Sequence, residues 1–304
     1  MEQDKFNDIP GYSSWKAVEP ISKGWSSDKK YRIITDLGEE LLLRISSKEK
    51  YENKKKEYEI IGKFSSLGFP MSMPIAFGLC SGGENVFMLL SWVKGQELEE
   101  TLPTLPGKRQ YLLGRQAGKI LKKIHGIPVA AEDMPKETHK AKKLRQLDSY
   151  IASDVRVPGD EAVIKYVRDN IDIIWNQPPV YQHGDFHTGN LVLTDDGNIG
   201  VIDFNRWSVG DPYEEFYKLE SFGVEVSVPY CIGQIDAYFD DAVPDIFWRT
   251  LAVYVAHASL YSIKWAEPFG QKDMDGMAER YVMANRDFNG FRETVPLWYK
   301  SGKY

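Results

Sequence analysis

The sequence predicts an α+β chain, with a small antiparallel-sheet region first and a mainly helical remainder. Three observations predict it. Short apolar runs separated by polar turns recur between residues 31 and 92, which is the patterning of hairpins. Past Gly95 the apolar residues change to helical spacing, first over 108–126. One further hairpin, 191–193 and 199–202 about the turn 194–198, interrupts the helical part.

Taken in order, residues 1–30 are polar and show little periodicity until the small-residue stretch holding Gly24, Ser26 and Ser27. Runs at 31–35 and 40–45 flank the turn 36–39 and form a hairpin. Its second strand, LLLRIS, carries Arg44, and an inward cation on an apolar strand needs an anion. Residues 48–67 read as a helix closed by Gly68 and Pro70. At 100° per residue Glu57 falls inside the apolar stripe of Ile60, Ile61, Phe64 and Leu67, whereas Glu59 falls on the wet side. Glu57 is therefore the natural partner of Arg44. A second hairpin, 75–80 and 85–92, forms about the turn 81–84, and Gly95 breaks its last strand. The connector 101–107 leads into a helix from Lys108 with Leu113, Ala117, Ile120, Leu121 and Ile124 on one face. It ends at His125-Gly126, where His125 reads as a capped or core histidine. The lysine-rich stretch 139–143 reads as a solvated helix face, and 166–175 as helix broken by Gln177-Pro178-Pro179. Asp211, Pro212 and Glu214 spell a capping box with proline at the first helical position, so a helix is expected there. Most acids beyond it (Glu214, Glu215, Glu220, Asp236, Asp240, Asp241, Glu267) read as surface charges.

With 304 residues, 42% apolar and 27% charged, the chain has ordinary globular composition and length for two domains or one large one. Its longest apolar stretch, 251–263, spans 13 residues and contains His257, too short to cross a bilayer. The first residues offer no apolar signal segment. Cys80 and Cys231 make neither a metal spacing nor a disulfide framework, so a cytoplasmic setting is expected. From Gly200 onward there are 16 acids against 10 bases, while the first 199 residues carry 28 of each. The surplus in the last third favours a cationic small molecule and disfavours nucleic acid. No membrane and no obligate protein partner are indicated.

The chemistry concentrates in YQHGDFHTGNLVLTDDGNIGVID, residues 181–203. Asp185 precedes the amide of Asn190 by five residues, and the hairpin returns the chain to Asp203 on an adjacent backbone. An Asp and an Asn converging from neighbouring strands are hard oxygen ligands suited to Mg²⁺ that also binds substrate phosphates. Asp185, on the loop before them, is placed to orient or deprotonate an attacking hydroxyl. His183, Asp185, Asn190 and Asp203-Phe204 together match the kinase template H-x-D-x-x-x-x-N followed by D-F.

The form HGDFHTGN resembles the aminoglycoside phosphotransferase family and its small-molecule kinase relatives, including choline and homoserine kinases. The resemblance implies a two-lobed protein-kinase-like fold, with an N-lobe over 1–93 and a C-lobe over 94–304. It implies ATP or GTP as cosubstrate with Mg²⁺ held by Asn190 and Asp203, and Asp185 as the catalytic residue. Nucleotide contacts would come from Ser26 and Ser27 over the phosphates, Arg44 with Glu57, and the strand-to-linker residues Leu90, Ser91 and Val93. Arg44 stands where the family has a lysine, a departure that matters because guanidinium and ammonium are not interchangeable. Asp211 comes eight positions after Asp203, and no A-P-E element comes after, so protein substrates are not expected. The implied reaction is transfer of the γ-phosphoryl to a hydroxyl of an aminoglycoside-type or other antibiotic. A metabolite kinase and a nucleotide-binding pseudoenzyme are the alternatives.

Overall fold

The structure is a computed structural model describing residues 6–22 and 28–302. Gly24, Ser26 and Ser27 lie outside the described residues. In chain order the first strands are β1 Trp15–Ile21, β2 Lys29–Thr35 and β3 Glu40–Ser47, succeeded by helix α1 Tyr51–Phe64. Then come β4 Pro74–Cys80, β5 Asn85–Ser91 and the two-residue β6 Gln96–Glu97. The next elements are the helices α2 Leu98–Thr101, α3 Gly107–His125, α4 His139–Ile151 and α5 Glu161–Asn170. Four short strands come after them: β7 Val180–Gln182, β8 Leu191–Leu193, β9 Ile199–Val201 and β10 Ser208–Gly210. The chain closes with α6 Val228–Tyr238, α7 Asp245–Ala266, α8 Gln271–Asp287 and α9 Leu297–Ser301. Among the described residues no helix is long and apolar enough to cross a membrane.

The chain divides into two compact units, 1–96 with 190–207 and 97–189 with 208–304. The division after Val93 read from sequence differs from this mainly in the hairpin β8–β9, which belongs to the first unit. The cause is local bonding: the Val201 N–H donates to the Pro70 carbonyl at 2.9 Å, and Met71 bridges to Val201. Gly95 explains itself nearby, since its φ of 145° suits glycine and a Cβ would collide with the Leu193 carbonyl.

In the first unit five antiparallel strands run in the order β1-β2-β3-β5-β4. Ile33, Leu43, Ile45, Phe87 and Leu89 pack on one face with Phe6 and Ile9. Helix α1 buries Glu57, Ile60, Ile61 and Phe64, the stripe the sequence predicts. Strand β1 is a correction to the reading of residues 1–30 as irregular. Its WKAVEPI lacks alternation and contains Pro20, which is tolerated because β1 is an edge strand.

In the second unit α3 packs on α6 at backbone distance. A Cβ on Gly114 would strike the Tyr230 carbonyl, and one on Gly118 the Gln234 carbonyl. The helix α7 is buried along most of its length, with His257 at its centre held neutral: burial pushes its pKa down to about 3. Three readings need correcting here. His139 and Lys143 do not face solvent; both are buried, because Glu214 accepts from each, at 2.9 Å and 2.6 Å. Helix α5 stops at Asn170, and Trp175 has a left-handed φ of 64°. The capping box at Asp211 forms only half: Asp211 Oδ1 accepts from the Tyr213 N–H at 2.9 Å, but Glu214 turns to His139 and Lys143. In place of a regular helix the chain makes a 3₁₀ turn over Glu214–Phe216 and a π turn over Leu219–Gly223.

Candidate active site

Strand β3 places Arg44 opposite Lys30 of β2. Like charges directly opposite on a sheet destabilise it unless anions intervene, and three do. Arg44 Nη1 lies 2.5 Å from Glu57 Oε1, and Nη2 lies 2.6 Å from Asp28 Oδ2. Lys54, from α1, bonds both carboxylates, at 2.6 Å to Asp28 and 2.8 Å to Glu57. Ser46 adds a 2.7 Å bond to Asp28. Burial works against the Asp28 carboxylate, but Arg44, Lys54 and Ser46 outweigh it and hold its pKa well below the usual range. The Arg44–Glu57 pair is thus present, with Asp28 as a second anion that the sequence reading does not assign.

The third anion is Asp203. Its Oδ2 accepts from Lys30 Nζ at 2.9 Å, and its Oδ1 lies 3.9 Å from Arg44 Nη1. The residue adopts a left-handed φ of 60°, uncommon outside glycine, and backbone strain of this kind collects at functional sites. Phe204 anchors the turn by packing on Phe64 with ring centroids 5.5 Å apart. Asn190 enters β8, and its carbonyl accepts from the Ile202 N–H at 3.1 Å, so the hairpin carries Asn190 and Asp203 on neighbouring backbones. Both offer hard oxygen of the kind Mg²⁺ takes, so the donor chemistry fits Mg²⁺, with Lys30 the cation that now bonds the carboxylate.

Of the remaining nucleotide candidates, Leu90 is buried and pairs with Leu42, on the same sheet face as the Arg44–Met88 pair. The Ser91 N–H donates to the Met73 carbonyl at 2.9 Å, and its hydroxyl accepts from the Met73 N–H at 2.8 Å. Val93 lies just past β5, with a methyl packed where any side chain on Gly200 would sit.

Asp185 lies in the second unit, after β7, which pairs with β10. Its loop is held from beneath by Glu215, a buried carboxylate accepting from the His183 N–H at 3.0 Å and the Gly184 N–H at 2.7 Å. His125 stands 3.0 Å from the same carboxylate and 2.8 Å from the Tyr238 hydroxyl. It is a core histidine, and its work is to brace Glu215. The His187 Nδ1 accepts from the Gly189 N–H at 3.2 Å, which turns Nε2 toward Asp185 Oδ1 at 3.7 Å. Lys218 Nζ bonds the same oxygen at 2.7 Å. Burial would raise the Asp185 pKa, but His187 and Lys218 more than offset it and hold the carboxylate far below its ordinary range. Four residues of chain join Asp185 to Asn190.

A family model, the APH phosphotransferase enzyme family, matches residues 17–248. The chain belongs to that family. No curated protein matches it. Among solved structures, this phosphotransferase is similar to the GDP complex of aminoglycoside 2'-phosphotransferase-IIIa, at 19% identity and a TM-score of 0.69, over 94% of this chain and 95% of that one. It is similar to a choline/ethanolamine kinase family protein from Mesorhizobium loti, at 17% identity and a TM-score of 0.70, over 99% and 98% of the two chains. ADP-bound APH(2'')-Ib aligns at 15% identity and a TM-score of 0.68, over 94% and 99%. These likenesses establish the kinase-like two-part fold.

Sequence reasoning does not single out Asp28, Lys30, Lys54, Glu215 or Lys218. Lys30 has a signal: counting back across the 36–39 turn sets it opposite Arg44. Glu215 and Lys218 have none, because their partners lie more than thirty residues away.

Proposed function

We propose that this phosphotransferase moves the γ-phosphoryl of ATP or GTP to a hydroxyl of a small cationic molecule of the aminoglycoside kind. The observation that carries the reading is the Asp185 loop: its backbone N–H groups are bonded to a buried glutamate, and Lys218 keeps its carboxylate ionised. In the proposed step the acceptor oxygen bonds to the γ-phosphorus as the bond from phosphorus to the β-bridging oxygen breaks. The nucleoside diphosphate leaves with that electron pair, and the acceptor's proton passes to Asp185 and then to solvent. Phosphoryl transfer is loose, so the proton is lost late. A strongly ionised carboxylate suits that order: it orients the hydroxyl first and accepts its proton last. Positioning and charge neutralisation then supply most of the rate.

Asn190 and Asp203 would hold Mg²⁺, which when bound neutralises phosphate charge. Lys30 is the more exposed of the two facing cations, at 13% against 3% for Arg44, so Lys30 reaches phosphate while Arg44 keeps Asp28 and Glu57 in place. ADP and GDP complexes among the similar structures support a nucleotide cosubstrate. An acidic last third supports a cationic acceptor. Arg44 in place of lysine favours one rival, a nucleotide-binding pseudoenzyme. Magnesium-dependent nucleotide consumption over a panel of aminoglycosides, choline and other hydroxylated amines tests the reading. Turnover with a hydroxylated amine supports it; nucleotide binding without turnover on any acceptor supports the rival.

A further inference from the structure

Asp185 has a partner from further along the chain that ordinary phosphoryl transfer does not require. Lys218 lies between the 3₁₀ turn and the π turn, and only 6% of it is exposed. An ammonium so buried needs compensation. It finds the Asp185 carboxylate at 2.7 Å and the rings of Tyr217 and Phe222, whose centroids lie 5.1 Å and 5.2 Å from Nζ. Both distances lie within cation–π range. Burial disfavours the charged lysine, but Tyr217 and Asp185 more than restore it.

Phe222 is shared. The His187 ring packs on it with centroids 5.2 Å apart, and the Arg280 guanidinium of α8 lies 4.8 Å from its centroid. Arg280 in turn bonds Glu225 at 2.8 Å. One aromatic ring therefore carries two groups that face Asp185 Oδ1, His187 and Lys218. The segment that presents it is a π turn closed by a 2.8 Å bond from the Val224 N–H to the Leu219 carbonyl. Such turns are rare and gather at functional sites. A surface ion pair would need neither the burial nor the ring.

We propose that Lys218 is a positioning residue of the phosphoryl-transfer site: with Phe222 as its platform, it clamps the Asp185 carboxylate in one orientation before the acceptor arrives. This role rests on the phosphotransferase reading. Asp185 is faced by His187 from its own loop and by Lys218; Lys218 is faced by Tyr217, and Phe222 by Arg280.

The test measures kcat, nucleotide Kd and the pH profile of kcat for K218M, K218R and F222L, with K218M repeated in a D185N background. Losing the clamp should lower kcat in K218M by about 10²-fold, the cost of a small misplacement at a reacting centre, with nucleotide Kd unchanged. The acid limb of the profile should move to higher pH, because the Asp185 pKa rises when its cation is removed. K218R should recover most of the rate, and F222L should fall between wild type and K218M. In the D185N background K218M should add nothing. Wild-type kcat in K218M, or a loss that multiplies fully on D185N, would overturn the role while leaving the phosphotransferase reading intact. Should K218M not fold, F222L with wild-type kcat and pH profile overturns it equally. A wild-type protein that phosphorylates no acceptor removes the reading and this role together.

Discussion

The two charged centres of this phosphotransferase are built by opposite means. In the first unit three cations (Lys30, Arg44, Lys54) and three anions (Asp28, Glu57, Asp203) neutralise one another through side chains on a sheet face. In the second, one carboxylate sits on a loop whose backbone N–H groups are tied to Glu215. The first centre couples charge to folding at its buried end, where Arg44 is bonded to Asp28 and Glu57; Lys30, paired with the more exposed Asp203, stands at its open end. The second couples geometry to chemistry, because its framework survives the loss of the reacting side chain. Substitutions in the two should therefore separate into stability effects and rate effects.

The sharpest separation should come from Asp185→Ala. Its kcat should fall by about 10²–10⁴-fold, as for loss of a positioned proton acceptor, with nucleotide Kd nearly unchanged and the thermal midpoint lowered only as far as buried Lys218 misses its carboxylate. Steady-state kinetics with calorimetric nucleotide binding measure both, and retained turnover would break the assignment. Arg44→Ala should do the reverse. It leaves Asp28 and Glu57, whose side chains are 1% and 4% exposed, with Lys54 alone between them, and should cost about 3 kcal/mol in urea unfolding. The Asp28 carboxylate, with its pKa depressed in the fold, adds stability above the unfolded value that is lost as pH falls through the folded one. Without Arg44, acid unfolding should begin at higher pH.

Glu220, in the π turn, offers an intermediate case. Burial, opposed by the Trp298 indole N–H at 2.7 Å, pushes its pKa from 4.5 up to about 7. A raised folded value gives stability present below the unfolded pKa and lost as pH climbs to about 7. Glu220→Gln keeps the indole bond and should flatten that slope, gaining on the order of 3 kcal/mol at pH 8 and nothing at pH 4. Denaturation tracked from pH 4 to 8 would show it, and an unchanged slope would contradict the burial of that charge. Lys30→Ala should have the smallest effect, raising nucleotide KM several-fold, about 1 kcal/mol, with little change in stability. If it unfolds the first unit as Arg44→Ala does, the division of labour between the two facing cations is wrong.

Much of the molecule is legible in its residues, for physical reasons. The apolar stripe of α1 carries Glu57 on its buried side, and the 194–198 turn fixes Asn190 and Asp203 on one hairpin. Strand β1 is not legible, because an edge strand with Pro20 needs no alternation. His139 and Lys143 look solvated, since nothing local shows that Glu214 will be buried against them. Glu215 reads as a surface charge, and nothing in the sequence marks Lys218. Their roles depend on contacts made across tens of residues, and the π turn beside them has no sequence signature of its own.

The most direct test is product stoichiometry: purified protein, Mg²⁺ and ATP or GTP are incubated with each hydroxylated amine, and phosphorylated acceptor is quantified against nucleoside diphosphate. The account predicts at least one acceptor yielding one phosphoester per diphosphate, abolished in Asp185→Ala. Diphosphate formed without any phosphoester, or nucleotide bound and never consumed, would contradict it.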